Sequence, residues 1–187
     1  KWRIEIQQKQ LEQMAYYDPL TGLPNRRFFD KLVKKEFSSM QRHGHESVIL
    51  ILDIDNFKNV NDTYGHPVGD NILRQLAALL ENNVRESDTV SRFGGEEFVI
   101  LMSKTSLEGG YAFAERLRKL IMEKNFVVGS IDLGITSSFG ISLLDDVENL
   151  EDYYSLADKA LYLAKQCGKN RVEIASGSEG IADLGEK

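Results

Sequence analysis

At 187 residues, with 42% apolar and 28% charged side chains, the chain is long enough for one domain with a full core and has the make-up of a globular protein. Its formal net charge of −6 argues against the basic surface of a nucleic-acid binder. A nucleotide ligand stays open, because metal ions mask phosphate charge locally. A single cysteine, Cys167, excludes an internal disulfide and a cysteine-built zinc site. Apolar runs such as Val48–Leu52 are far too short to span a membrane. No signal peptide is recognisable and the chain opens on Lys1, so it is read as a piece of a longer protein.

Residues 1–17 read as a helix with a loose stripe of Trp2, Ile4, Ile6, Leu11, Met14 and Ala15. Ile4 and Leu11 stand seven apart, as in a short coiled-coil seam, so this is either a solvated extension or a connecting helix. Two prolines and a glycine in Asp18–Arg27 force an ordered loop, and Asn25 is a plausible N-cap for a helix over 26–42. Val48–Leu52 is an unbroken, partly β-branched run that suits a central strand buried on both faces. It ends in Asp53-Ile54-Asp55, and acids there are costly unless ligated or hydrogen-bonded. Turn capping accounts for Asp55 better than for Asp53.

Asn56–Asp70 is dense in turn formers and is expected to be a long polar loop, with a helix following over 69–84. Thr89–Phe93 and Phe98–Met102 flank Gly94-Gly95, which reads as a two-residue hairpin turn with Glu96 and Glu97 opening the second strand. Further helices are expected over 107–124 and 150–166, and strands over 126–128, 135–143 and 172–174. Residues 18–175 are thus one domain, and 176–187 a small, acidic tail expected to be disordered. Alternating helices and strands with a hairpin among them predict the α+β class, a mixed, largely antiparallel sheet with helices around it. There is no internal repeat.

Adjacent strands lie about 4.8 Å apart, so Asp53, Glu96 and Glu97 can bridge one or two cations. Carboxylates without a His or Cys cluster suggest Mg²⁺ rather than zinc, and two such ions are a standard means of phosphoryl transfer. His43, His45 and His66 read as surface or loop histidines, and Tyr111, Phe113 and Tyr162 as core.

Gly94-Gly95-Glu96-Glu97-Phe98 resembles the signature of the GGDEF family, the diguanylate cyclases, in a Glu variant. The likeness extends to Asp18–Arg26, to Leu52–Lys58 with Gly65-His66 and Gly69-Asp70, and to Ala157–Lys165 with Gly168-Lys169-Asn170. It covers about 15–174, in order and at family spacing. It implies a fold like the palm of nucleotide cyclases and the condensation of two GTP into cyclic di-GMP with release of pyrophosphate. Two Mg²⁺ per active site are implied, with Mn²⁺ as a substitute. Asp53 and Glu97 are implied as metal ligands with the Ile54 carbonyl, and Glu96 as a further ligand or the group that deprotonates the ribose 3′-hydroxyl. Asn61 and Asp70 would read guanine, with Leu20 and Leu73 lining its pocket. Phe57, Lys58, Lys165 and Lys169 would hold the triphosphate beside Gly94 and Gly95. The family often has Arg where Lys169 stands; Lys keeps the charge and loses the bidentate fork.

Each site would make half of the product, so the resemblance implies a homodimer, with the N-terminal helix setting its approach and an upstream sensor domain driving it. Arg85-Glu86-Ser87-Asp88 ends the expected helix nine residues before Gly94, and looks like the family's RxxD product-inhibition motif, with Arg116 as a second guanidinium. Taken alone, such a pair is a surface ion pair. The fragment itself would touch no membrane and no nucleic acid, and the expected location is cytoplasmic, with a parent protein that membrane anchorage would also suit. Two other readings stand beside this one. A non-catalytic module binding GTP or cyclic di-GMP would typically have lost Asp53 or the signature. A mononucleotide cyclase fits the metals and not the signature.

Overall fold

The computed structural model describes residues 15–144 and 152–175. The expected helix over 1–17 therefore lies almost wholly outside the described residues, as do the tail and the start of the helix expected from 150.

Helix α1 (Arg26–His43) begins where the Asn25 side chain accepts the Phe28 N–H, and ends where Gly44, at φ 65°, returns its N–H to Met40. Strand β1 (Val48–Ile54) is buried along its whole length. Side-chain alternation divides it between two cores. Ile49 and Ile51 pack with Phe29 and Val33 of α1, while Leu50, Leu52 and Ile54 pack into the larger core on the other face.

The expected polar loop after β1 is instead a second helix, α2 (Phe57–Tyr64), entered through Asn56 in the left-handed region at φ 56°. Only Phe57 and the half-buried Val60 anchor it, too few apolar residues to show a helical period. Gly65 separates it from α3 (His66–Glu81), which carries Pro67 in its first turn, where the missing N–H costs nothing. α3 starts three residues before the expected Gly69 and stops three before Val84. Gly69 lets the Asn61 side chain lie close: a Cβ there would stand 1.9 Å from Asn61 Oδ1 and displace it.

Strands β2 (Thr89–Gly94) and β3 (Glu97–Met102) form the hairpin. Its turn is displaced by one residue from expectation. Gly94 pairs with Glu97, so the two turn residues are Gly95 and Glu96, and a bulge between Arg92 and Gly94 absorbs Phe93. Helix α4 (Leu107–Glu123) is capped by Ser106. Strands β4 (Phe126–Val128) and β5 (Ile131–Leu133) make a separate two-stranded ribbon. β5, three residues long with a central Asp132, carries no legible strand pattern. Strand β6 (Ser137–Leu143), helix α5 (Tyr153–Gln166) and strand β7 (Val172–Ala175) complete the domain.

The main sheet has the order β2-β3-β1-β6-β7. All its pairings are antiparallel except β6–β7. α1 and α5 cover one face and α2, α3 and α4 the other, giving the mixed α+β architecture expected. α5 lies close because β6 presents Gly140, where a Cβ would stand 2.1 Å from the Ala157 carbonyl oxygen.

Candidate active site

Antiparallel pairing brings the acidic residues together. Asp53 ends β1 and is the register partner of Glu97, the first residue of β3. Alternation puts both carboxylates on the face of Ile51 and Val99, under α5. Glu96 sits on the adjoining turn, and its carbonyl accepts the Ile54 N–H at 3.4 Å. α5 reaches both acids. Lys165 Nζ lies 3.0 Å from Asp53 Oδ1, and the Tyr154 hydroxyl donates to Glu97 Oε1 at 2.6 Å.

Burial pushes the Asp53 carboxyl up to about 6, Lys165 pulling it down and Glu96 and Glu97 adding to the push. Burial likewise holds the Tyr154 phenol well above its ordinary range, with the Glu97 hydrogen bond adding to it, so it remains a neutral donor. Asp55 faces another environment. It accepts from Thr136 Oγ1 at 2.7 Å, Ser138 Oγ at 2.6 Å and the Asn170 N–H at 3.0 Å, fastening β1 to β6 and to the loop after α5.

Hard carboxylate oxygens around a buried acid opposed by two more negative charges fit a hard divalent cation. A ready-made cage is not gathered: among the described residues, no three His, Cys, Asp or Glu side chains stand so as to hold a metal ion.

The glycine turn is held from outside the expected set. Arg92 donates through Nε and Nη2 to the Gly95 carbonyl, and through Nη1 to both carboxylate oxygens of Asp18. Asp18 also accepts the N–H and hydroxyl of Thr21. Burial would raise its pKa, but these hydrogen bonds and the Arg92 guanidinium hold it below the usual value. The Asp18–Asn25 loop thereby fixes the turn bearing Glu96. Gly94 and Gly95 take φ of 123° and 54°, and a Cβ on either would meet open space, so their backbones are accessible.

Lys169, at φ 65°, donates to Asn56 Oδ1 at 2.6 Å, beside the end of β1. Lys165 and Lys169 thus reach the first and last residues of Asp53–Asn56. Lys58 is exposed on the first turn of α2, whereas the Phe57 side chain is buried in the core, leaving that residue only its backbone N–H to offer a phosphate. Asn61 lies against Gly69, next to Asp70, at the α2–α3 junction. Leu73 is buried in the larger core, and Leu20 packs against it half-buried.

Arg85 and Asp88, expected at a helix end, lie instead in the turn after α3, where the Asp88 carboxylate accepts the Arg85 N–H at 3.1 Å. Arg116 of α4 reaches that turn, donating to the Asn83 side-chain and backbone carbonyls at 2.9 and 3.0 Å. Three expected residues are therefore grouped about 83–88, with Asp88 lining a surface cleft of about 230 Å³. Arg92 and Tyr154 were not singled out by sequence. Arg92 stands two residues before the glycines, a usable signal; Tyr154 offers none beyond its place beside Tyr153.

A family profile described as "Diguanylate cyclase, GGDEF domain" matches residues 15–171, and the chain belongs to that family. It is 43% identical over 163 residues to diguanylate cyclase DgcP of Pseudomonas aeruginosa, covering 87% of this chain and 24% of that protein. It is 38% identical over 176 residues to diguanylate cyclase A of Treponema denticola, covering 92% of this chain and 47% of that one. Among solved structures, the coiled coil and GGDEF domain of DgcB from Caulobacter crescentus, in complex with c-di-GMP, superposes with a TM-score of 0.86 at 28% identity, covering 92% of each chain. The chain therefore spans under half the length of the two curated relatives. Among the described residues no helix is long and apolar enough to cross a membrane.

Proposed function

We propose that this domain is a catalytic diguanylate cyclase that condenses two GTP into cyclic di-GMP and two pyrophosphates. The observation that carries the reading is the register pair Asp53–Glu97, two carboxylates on one face at one strand end, with Lys165 beside them. Asp53, Glu97, the Ile54 carbonyl and Glu96 would hold two Mg²⁺, or Mn²⁺ in their place. When bound, those ions supply acidification of the attacking hydroxyl and charge relief on the transferring phosphate.

This chain's own groups do the rest. Glu96 takes the proton of the ribose 3′-hydroxyl. Lys165 swings from Asp53 to the triphosphate and joins Lys169, Lys58, the Phe57 N–H and the open backbone at Gly94 and Gly95. Asp70 accepts from guanine N1–H and the exocyclic amine and Asn61 pairs with the base edge, while Leu20 and Leu73 bound its apolar side. Each 3′-oxygen attacks the α-phosphorus held by a second copy, expelling pyrophosphate, so catalysis needs a homodimer. Product returns to Arg85, Asp88 and Arg116 and slows its own synthesis. An input domain upstream is part of the proposal, supported by the greater length of the relatives. Incubating the protein with GTP and Mg²⁺ and identifying products by mass tests the reading. Cyclic di-GMP is expected; tight GTP binding without turnover would replace the enzyme with a binding module.

A further inference from the structure

Tyr154 is held rigidly. Its ring stacks on Phe93 at 5.6 Å with 13° between planes, and the Arg26 guanidinium covers both rings, 5.3 Å from Phe93 and 5.6 Å from Tyr154. Phe93 in turn meets Phe29 edge-on at 5.4 Å. Three elements, α1, β2 and α5, thus fix the direction of one hydroxyl, and that hydroxyl ends on Glu97 Oε1. A half-buried phenol still needs an acceptor, so the bland reading is a satisfied tyrosine at the edge of the core. The acceptor chosen argues otherwise. Glu97 is the register partner of Asp53, and a donor on one carboxylate oxygen fixes the carboxylate plane while leaving the second oxygen to serve as a ligand.

Resting on the metal-dependent reading above, we infer that Tyr154 is a positioning residue for the divalent cation: it orients Glu97 through Oε1 so that Oε2 meets the ion. The hydrogen bond stays in place when the ion binds. The ion therefore meets a carboxylate already turned toward it, instead of one that must first be ordered. Lys165, on the opposite end of the same helix, holds Asp53 by a charge that the cation replaces. Tyr154 and Lys165 are eleven residues apart, about 16 Å along the axis at 1.5 Å per residue, so α5 spans the two acids and holds one from each end.

The test compares the parent with Tyr154→Phe, which keeps the stack and loses only the hydroxyl, and with Arg26→Lys, which keeps the charge and loses the planar cover on an exposed residue whose change leaves the core alone. Two readouts are taken: Mn²⁺ binding by calorimetry without nucleotide, and the Mg²⁺ midpoint for binding 3′-deoxy-GTP, which lacks the attacking hydroxyl. Tyr154→Phe is expected to weaken both by roughly tenfold or more. Arg26→Lys should shift them less, in the same direction. Turnover of Tyr154→Phe at saturating Mg²⁺ should return to near the parent's, which a merely structural defect would not allow. Equal midpoints in parent and Tyr154→Phe, a tighter midpoint in the variant, or no metal binding by the parent in either readout overturns the inference. If the midpoints shift as expected but the parent makes no cyclic di-GMP, the proposed reaction falls and the role of Tyr154 stands. If product forms and the midpoints agree, the reverse holds.

Discussion

Asp53 and Asp55 share one strand end, yet Asp55 accepts from three donors, whereas among the described residues Asp53 is met by Lys165 alone. A buried acid met by one mobile cation can exchange that partner for another cation, whereas one held by three fixed donors is a fastener. Glu97→Gln retains size and the Tyr154 acceptor while removing a ligand charge. Cyclic di-GMP formation should fall by at least about a hundredfold with the melting temperature unchanged, and turnover near the parent's would remove Glu97 from the chemistry. If Asp70 reads guanine as proposed, Asp70→Ser should relax the preference for GTP over ATP by at least about tenfold, measured as a ratio of kcat/KM values, because the acid would be left unmatched against adenine. An unchanged ratio would mean that guanine is read elsewhere. At this scale the acids and glycines were legible, since carboxylates after a buried run have few structural uses. Tyr154 was not, because its partner Glu97 lies 57 residues away and no local pattern announces such a contact; Arg92 was marked only by its place beside the glycines, its second partner, Asp18, lying 74 residues away.

Among the elements, the helices with broad apolar stripes and the long buried strands were readable to within a few residues. α2 was hidden because its outer face is Asn, Asp, Thr and Lys, and the displaced hairpin turn because a bulge at Phe93 shifts register without any residue to mark it. α5 depends on close approach to β6. Gly140→Ala puts a methyl 2.1 Å from the Ala157 carbonyl oxygen and 2.3 Å from the Leu161 nitrogen, both backbone atoms. A loss of about 3 kcal/mol, at the upper end of overpacking costs, is expected in urea unfolding. Activity should fall further than stability explains, since α5 carries Tyr154 and Lys165. At the opposite end of the sheet, Glu36 Oε1 of α1 meets His45 Nε2 and the hydroxyls of Ser47 and Ser103. Burial would raise its pKa, but these partners outweigh burial and hold it below the usual range of a glutamate. A carboxyl depressed on folding contributes stability above its unfolded pKa, and that contribution vanishes as pH falls through the folded value. The parent should therefore lose its melting-temperature advantage over Glu36→Gln as pH drops below about 4.5, and a constant difference down to pH 3 would contradict the assignment.

For the whole molecule, the turn at 83–88 and α4 form a surface set apart from the carboxylates, and Arg116 is already docked there through Asn83. Arg85→Ala should bind cyclic di-GMP weakly and continue producing it after the parent has stalled; equal affinity in the two proteins would reduce the motif to a surface turn. A different consequence follows from the central place of β1. Its hydrogen-bonding partners are β3, some fifty residues on, and β6, which ends at Leu143. On a ribosome adding about 5–20 residues per second, β1 emerges on the order of ten seconds before β6 is available to cover its second edge. During that interval a strand that the folded domain buries along its whole length has an unpaired edge in the nascent chain. Chains terminated after residue 125, before β6, should accordingly associate with chaperones or pellet, whereas those extended through residue 175 should remain in the supernatant.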